Sequence, residues 1–404
     1  MNIIFLGGIY TPSIQEVIQK KSIGPIQNAA DALQKNYLRG FSEIDEIEEI
    51  RVINLPYIGS YPSLFKDKYF TPEIKEEFLY SRVAVFNYGF NNIKAIKSIA
   101  RFWRSFKEIR KITHDNKDYH IVCYSMHLPF LLSCFLNKLR SDKCKYYIIV
   151  PDLPEFMSVR HGLNKKLYTL LSKLSYYIVN RSNGISVITK EMSERFDTSV
   201  GTTIIEGIVS EPPKLENRVC PSPNQSELGD YFLYTGTLDS RYGIRDLINA
   251  YNQSKISNNT KLVICGDGDD REYVEIEQRK NPQIVYLGQI TREDAQLLQK
   301  KAKLLINPRN NEGEFTKFSF PSKIIEYMSS GTPVLMYKLD GIPDSYDRYY
   351  FEITSQADFP LILKNISEKD PEELVSMGKI AREFIFENTT PKQQVLKFYS
   401  LMKK

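Results

Sequence analysis

Ser322, Lys323 and Glu326 form the grouping in this chain best suited to chemistry. They lie in the run Phe318-Ser-Phe-Pro-Ser-Lys-Ile-Ile-Glu-Tyr-Met-Ser-Ser-Gly-Thr-Pro-Val-Leu335. The pattern reads as a buried strand (Leu304 to Ile306), a loop, a helix from about Ser322 to Ser330, and a second apolar strand (Val334 to Tyr337). Pro321 stands where a helix tolerates proline, because the first N–H groups have no intrahelical partner. Gly331 is placed as the stop. The N–H groups at Ser322 and Lys323, with the positive end of the helix dipole, then suit a phosphate. Glu326, one turn further in, could reach past that phosphate to hydroxyl groups.

This stretch resembles the nucleotide-sugar site of retaining GT-B glycosyltransferases, family 4 in particular. The resemblance implies that Glu326 holds the ribose hydroxyls. It also puts Phe318 where the family has a first Glu that contacts the transferred sugar. The family's loop after the first strand of this domain carries an Arg and a Lys against the donor diphosphate. In Thr235-Gly236-Thr-Leu-Asp-Ser-Arg241-Tyr-Gly243 the best match is Arg241, while Thr237 stands at the usual Arg position. Lys323 or Arg309 could supply the missing cation. Gly266-Asp-Gly resembles the family's Gly-x-Gly turn, and the backbone at Gln289 and Ile290 is expected to read the base. Asp267-x-Asp269 superficially matches a metal motif of another fold, and neither metal nor cofactor is expected.

Positioning these groups takes two α/β domains: residues 1–210, a Pro-rich linker 211–227, a second domain 228–386, and a segment 387–404 returning to the first. The resemblance implies a GT-B fold, two doubly wound Rossmann-like domains facing across a cleft. In the first domain, strands at Ile3 to Leu6, Glu49 to Leu55, His120 to Tyr124, Tyr146 to Val150, Ile185 to Ile188 and Thr203 to Glu206 suggest a parallel sheet. The Gly7-Gly8 turn, His127 and Asp152 fall at its carboxyl edge, where α/β folds bind ligands. Gly8 is a donor-contact candidate and His127 and Asp152 are acceptor-side candidates. Only the Asp of the family's His-Asp pair carries over. Residues 56 to 92, rich in Tyr and Phe, read as loops, a lid or a helical pair.

At 404 residues and 42% hydrophobic, with 25% charged, the composition is that of a globular protein. The start runs into a strand pattern without a basic leader, so no signal peptide is expected. Cysteines 123, 134, 144, 220 and 265 have no metal or framework spacing. Residues 1–210 hold 28 Lys and Arg against 21 Asp and Glu, and 94–145 hold 12 against 4. No nucleic-acid motif accompanies this charge, which favours an anionic lipid surface as partner. Ile93 to Ile112 reads as a basic amphipathic helix, interfacial or core-facing.

The expected activity is metal-independent transfer of a sugar from a nucleoside diphosphate donor to a lipid-linked saccharide acceptor, with retention, at the inner face of the cell membrane. Arg241 and Lys323 would meet the leaving-group charge and Asp152 the acceptor or the cationic sugar carbon. An aromatic ring at Phe318 cannot accept strong hydrogen bonds. That favours a 6-deoxy sugar, rhamnose on a deoxythymidine diphosphate carrier, over uridine-linked hexoses or N-acetylhexosamines. Glu312 or Glu314 could replace the absent carboxylate. A sugar-nucleotide hydrolase or epimerase, or a non-catalytic partner subunit, is the alternative class.

Overall fold

The computed structural model describes residues 1–115, 117–157, 163–209, 228–257, 259–311 and 313–404. The expected linker 211–227 lies outside them, as does Glu312. The chain forms two compact units: Met1–Ile208 with Thr390–Lys404, and Val209–Thr389.

The first unit is built on an eight-stranded sheet. In chain order its short elements are β1 (Asn2–Gly7), β2 (Glu49–Asn54), β3 (Tyr69–Phe70), β4 (Glu76–Tyr80), β5 (Val83–Asn87), β6 (Phe90–Asn91), β7 (Tyr119–Tyr124), β8 (Cys144–Val150), β9 (Gly184–Val187) and β10 (Thr202–Ile204). The sheet order is β10-β9-β8-β7-β1-β2-β5-β4, with β3 and β6 forming a separate pair. Strand order reverses between β1 and β7, so the turn at Gly8 and the loop at His127 lie at one switch point. Near-continuous burial of Ile3–Leu6 and Tyr146–Val150 is what parallel strands covered on both faces require.

Two expectations change here. Residues 56–92 contribute β5 to the main sheet and β4 antiparallel to it, so they are not a helical pair and the sheet is not wholly parallel. A short apolar run such as Val83-Ala-Val-Phe-Asn87 is ambiguous without its neighbours. A helix at Pro12–Lys21 (α1) was not anticipated, because only Ile14 and Ile18 are buried on it.

Helices α2 (Asn28–Ser42), α3 (Lys94–Ile112), α4 (Leu128–Arg140), α5 (Pro154–Met157), α6 (Leu163–Val179) and α7 (Lys190–Ser193) cover the sheet. The second unit adds α8 (Ile244–Gln253), α9 (Arg271–Lys280), α10 (Arg292–Lys301), α11 (Ser322–Ser330), α12 (Phe359–Ser367) and α13 (Pro371–Asn388). The last helix, α14 (Pro391–Met402), belongs to the first unit. It is capped by Thr390 and Gln393 in a reciprocal box. Its Phe398 packs edge-on against Tyr37 and Tyr147. Gly40 lets it approach α2: a Cβ there would lie 2.3 Å from the Pro391 carbonyl.

Among the described residues the second unit has six parallel strands: β11 (Asp230–Thr235), β12 (Thr260–Cys265), β13 (Ile284–Tyr286), β14 (Leu304–Asn307), β15 (Val334–Met336) and β16 (Phe351–Glu352). Their order, β13-β12-β11-β14-β15-β16, is that of a Rossmann sheet. The reversal falls between β11 and β14, so ligand chemistry is expected beyond Thr235 and Asn307. Leu233, Leu262, Val263, Leu304 and Ile306 are fully buried in its core.

Candidate functional site

At the carboxyl end of β11 the chain is tied to α11 by a polar cluster. The Tyr327 hydroxyl accepts from the Thr235 N–H at 2.9 Å and donates to the Thr235 carbonyl at 3.1 Å. Burial pushes the Tyr327 pKa up, which keeps this phenol neutral and able to do both. Glu326, half-buried, accepts at Oε1 from Gln299 Nε2 at 2.7 Å and from Lys323 Nζ at 3.1 Å. Gln299 Nε2 also donates to Thr235 Oγ1 at 3.1 Å, and the Gln299 main-chain carbonyl accepts from Thr332 Oγ1 at 2.6 Å. The Glu326 carboxylate is thus held by Gln299 of α10 and by Lys323 of its own helix rather than left to rotate in solvent.

α11 begins one residue after Pro321, which is the N-cap rather than the first helical residue. Ser322 is exposed and Lys323 half-buried. Gly331 ends the helix in the left-handed region (φ 83°). The first-turn N–H groups, Lys323 and the fixed Glu326 place donors for an anion beside an acceptor for hydroxyls.

The glycine turns close on one another. Gly266 has φ 146°, and a Cβ there would fall 1.8 Å from the Gly236 carbonyl, so this contact admits only glycine. Gly266 N–H donates to the Gly288 carbonyl at 2.8 Å. This joins the loops after β11, β12 and β13 and puts Gln289, exposed, and Ile290, half-buried, beside them.

The expected cations are placed differently from one another. Arg241 is exposed and paired with Asp239, through Nη2–Oδ2 at 2.5 Å and Nε–Oδ1 at 3.0 Å. The Arg241 guanidinium in turn holds the Asp239 carboxyl below its ordinary range. Arg309 is more buried, with Nη2 3.3 Å from Ser319 Oγ and its guanidinium 5.6 Å from the Tyr242 ring centre. Desolvation lowers its pKa. Phe318 is half-buried at the end of a 3-10 turn, Glu314–Phe318. Asp267 Oδ1 accepts from the Gly268 N–H, and no group of potential metal ligands occurs among the described residues.

Sequence reading missed Thr235, Asp239, Gln299 and Tyr327. Gln299 left one signal: it is buried on α10 with Ala295 and Leu298, where a polar side chain needs a partner.

In the first unit, Gly8 is explained by packing. Its N–H donates to Gln34 Oε1 at 2.9 Å, and a Cβ would meet the Leu55 carbonyl at 2.5 Å. His127 stacks on Phe130 at 4.6 Å, and its Nε2 lies 3.1 Å from Arg101 Nη1. Desolvation and the Arg101 charge hold its pKa well below the usual value, so the imidazole is neutral. Asp152, just past β8, is exposed, and partial desolvation by the protein around it raises its pKa.

Two cations of the basic helix turn inward, while Lys94, Arg104, Lys107, Arg110 and Lys111 stay exposed. Arg101 is buried, donating to the Leu55 and Pro56 carbonyls at 2.6 and 2.5 Å, with its guanidinium 5.0 Å from the Tyr57 and Phe90 ring centres. Lys97 Nζ donates to the Ile58 carbonyl at 2.5 Å. Burial drives the Lys97 pKa down to about 7 and that of Arg101 to about 10. These two cations brace the loop after β2 instead of forming a solvated basic face.

Residues 221–384 match the family model of glycosyl transferases group 1. An uncharacterised glycosyltransferase, MJ1607 of Methanocaldococcus jannaschii, is 28% identical over 173 residues, which covers 38% of this chain and 43% of that relative. The match therefore spans less than half the length of this curated relative. Over the whole chain the structure is similar to sucrose-phosphate synthase from Thermosynechococcus elongatus (TM-score 0.61, 14% identity, covering 100% of this chain and 98% of that one). It is also similar to Anabaena HepE in complex with UDP (TM-score 0.58, 14% identity, both chains covered fully). A third likeness is to the lipopolysaccharide outer core galactosyltransferase WaaB (TM-score 0.56, 14% identity, covering 100% and 99%). The fold is GT-B, with two Rossmann-like units, and the second unit carries a glycosyltransferase group 1 domain.

Proposed function

We propose that the chain is a retaining glycosyltransferase that moves a sugar from a nucleoside diphosphate donor, held by the second unit, to an acceptor taken by the first. The observation that carries this reading is the fixed Glu326 carboxylate beside Lys323 at the start of α11. Such a group accepts from ribose hydroxyls while the helix N-terminus takes the diphosphate. As the glycosidic bond breaks, charge grows on the diphosphate. Lys323, Arg309 and the N–H groups of Ser322 and Lys323 meet it electrostatically, and Arg241 joins them by exchanging Asp239 for phosphate. The acceptor proton passes to the departing phosphate oxygen on the same face, and Asp152 orients the acceptor. No step calls for a metal.

Phe318 supports a sugar with a methyl edge, rhamnose on a deoxythymidine diphosphate being the leading donor. The partner on the other side is a lipid-linked saccharide at the inner membrane surface, in assembly of a surface polysaccharide. Glu326 itself favours a second reading, a uridine-linked hexose or N-acetylhexosamine. A carboxylate is best used on a ribose that presents two adjacent hydroxyls, and deoxyribose presents one. Thermal-shift screening of nucleotide sugars tests both, since a bound donor stabilises the folded state by mass action. The leading reading expects the deoxythymidine donor to give the largest shift. A larger shift and roughly tenfold faster turnover with a uridine donor replaces it with the second. No shift and no turnover with any donor sinks both.

A further inference from the structure

The outward stripe of α3 is apolar where a solvated helix would be polar. Ile96, Ile99 and Trp103 are 45%, 58% and 50% exposed, while Lys97 and Arg101 turn inward. α4 packs between α3 and α6 and leaves Leu139 exposed. Beyond it, α6 exposes Leu167, Leu170, Leu171, Leu174 and Tyr177. Apolar surface on this scale marks a docking face. Its charge is one-sided as well. Lys107, Arg110 and Lys111 on α3, Arg140 on α4, and Lys166 and Lys173 on α6 are exposed. The three helices carry one acid, Glu108, which is half-buried and engaged by Arg104 and Tyr88.

A surface with apolar rows, a half-exposed tryptophan and cations that form no ion pair among the described residues fits a partner that is oily within and anionic at its boundary. We propose that α3 and α6 lay the first unit on an anionic phospholipid bilayer. Ile96, Ile99, Trp103, Leu167 and Leu170 enter the acyl boundary while the surrounding Lys and Arg meet headgroup phosphates. Among the described residues no helix is long and apolar enough to cross a membrane, so the attachment is in the plane of the surface. The inference deepens the lipid-linked acceptor reading but uses no feature of the donor site, so each can fail alone.

Trp103 is the only tryptophan in the chain, which makes its emission a direct probe of this face. The test is titration of the full chain, without nucleotide sugar, with vesicles of phosphatidylcholine alone or mixed with phosphatidylglycerol. The expected result is a blue shift and quenching by brominated acyl chains with the anionic vesicles, reversed by high salt. Lys107→Glu with Arg110→Glu should lower the anionic-vesicle partition coefficient by roughly tenfold or more. Ile99→Gln with Leu170→Gln should do likewise, with thermal midpoints confirming that each variant folds. Emission unchanged by vesicles overturns the proposal, as does equal partition into neutral and anionic vesicles. A blue shift that grows with protein concentration in the absence of lipid also overturns it, and assigns the face to a second copy of the chain.

Discussion

The two units handle buried and half-buried charge in opposite ways. In the second unit the two cations Lys323 and Arg241 near the proposed donor site pair with carboxylates close in sequence: Lys323 with Glu326 three residues on, Arg241 with Asp239 two residues back. In the first unit Arg101 and Lys97 are sunk against backbone carbonyls 46, 45 and 39 residues away. The first arrangement leaves charge ready to be exchanged for a ligand. The second uses charge as a brace, with desolvation opposing it, and leaves Ile96, Ile99 and Trp103 on the helix surface beside the remaining cations. The partnering of these cations thus differs between the units: nearby carboxylates beside the proposed donor site, distant backbone carbonyls under α3.

The largest effect should come from removing the brace. Arg101→Ala orphans two carbonyls and opens a hole among Tyr57, Phe90 and Phe130, at a cost of about 3 kcal/mol in chemical denaturation. Arg101→Met keeps the volume and removes the desolvated cation, so its loss should be clearly smaller. Equal losses would mean that the charge itself is stabilising.

Next in size is the carboxylate in the second unit. Glu326→Ala should weaken donor binding in calorimetry by about 1–3 kcal/mol while leaving the fold intact. Unchanged binding would remove Glu326 from the site. Gln299→Ala, which frees Glu326 from its orienting amide, should cost about 1 kcal/mol of donor affinity. Its signature is a raised donor KM with kcat nearly unchanged, whereas a purely structural role would lower the melting temperature and leave KM alone.

The smallest effect carries a pH signature. The native Lys97 pKa of about 7 lies below the unfolded value of about 10.4. The unfolded chain therefore holds the proton more tightly, and the cost of burying it is complete below pH 7. That cost fades as pH rises toward the unfolded pKa, so stability rises over that window. Lys97→Met should then gain about 1 kcal/mol at pH 6, discounted for the partial exposure of the group, and nothing at pH 10. A pH-independent difference would show that Lys97 keeps the same pKa in the folded and unfolded chain, as a solvated amine would.

What the sequence determined by itself was local. The helix Ser322–Ser330, its glycine stop and the strands on either side follow from caps and apolar runs that span a dozen residues. Lys323 and Glu326 were legible for the same reason, since residues three apart on a helix share a face. The tertiary structure alone decided which side of α3 faces water. The periodicity of Ile96, Ile99, Trp103 and Ile109 does not say which stripe is inside, and only Ile109 among them is buried. It also decided that Gln299 and Tyr327 serve the end of β11, 64 and 92 residues away in the chain. Hydrogen bonds across such separations are set by strand order and helix packing. A sequence records them only as a polar residue on a buried face, with its partner unnamed.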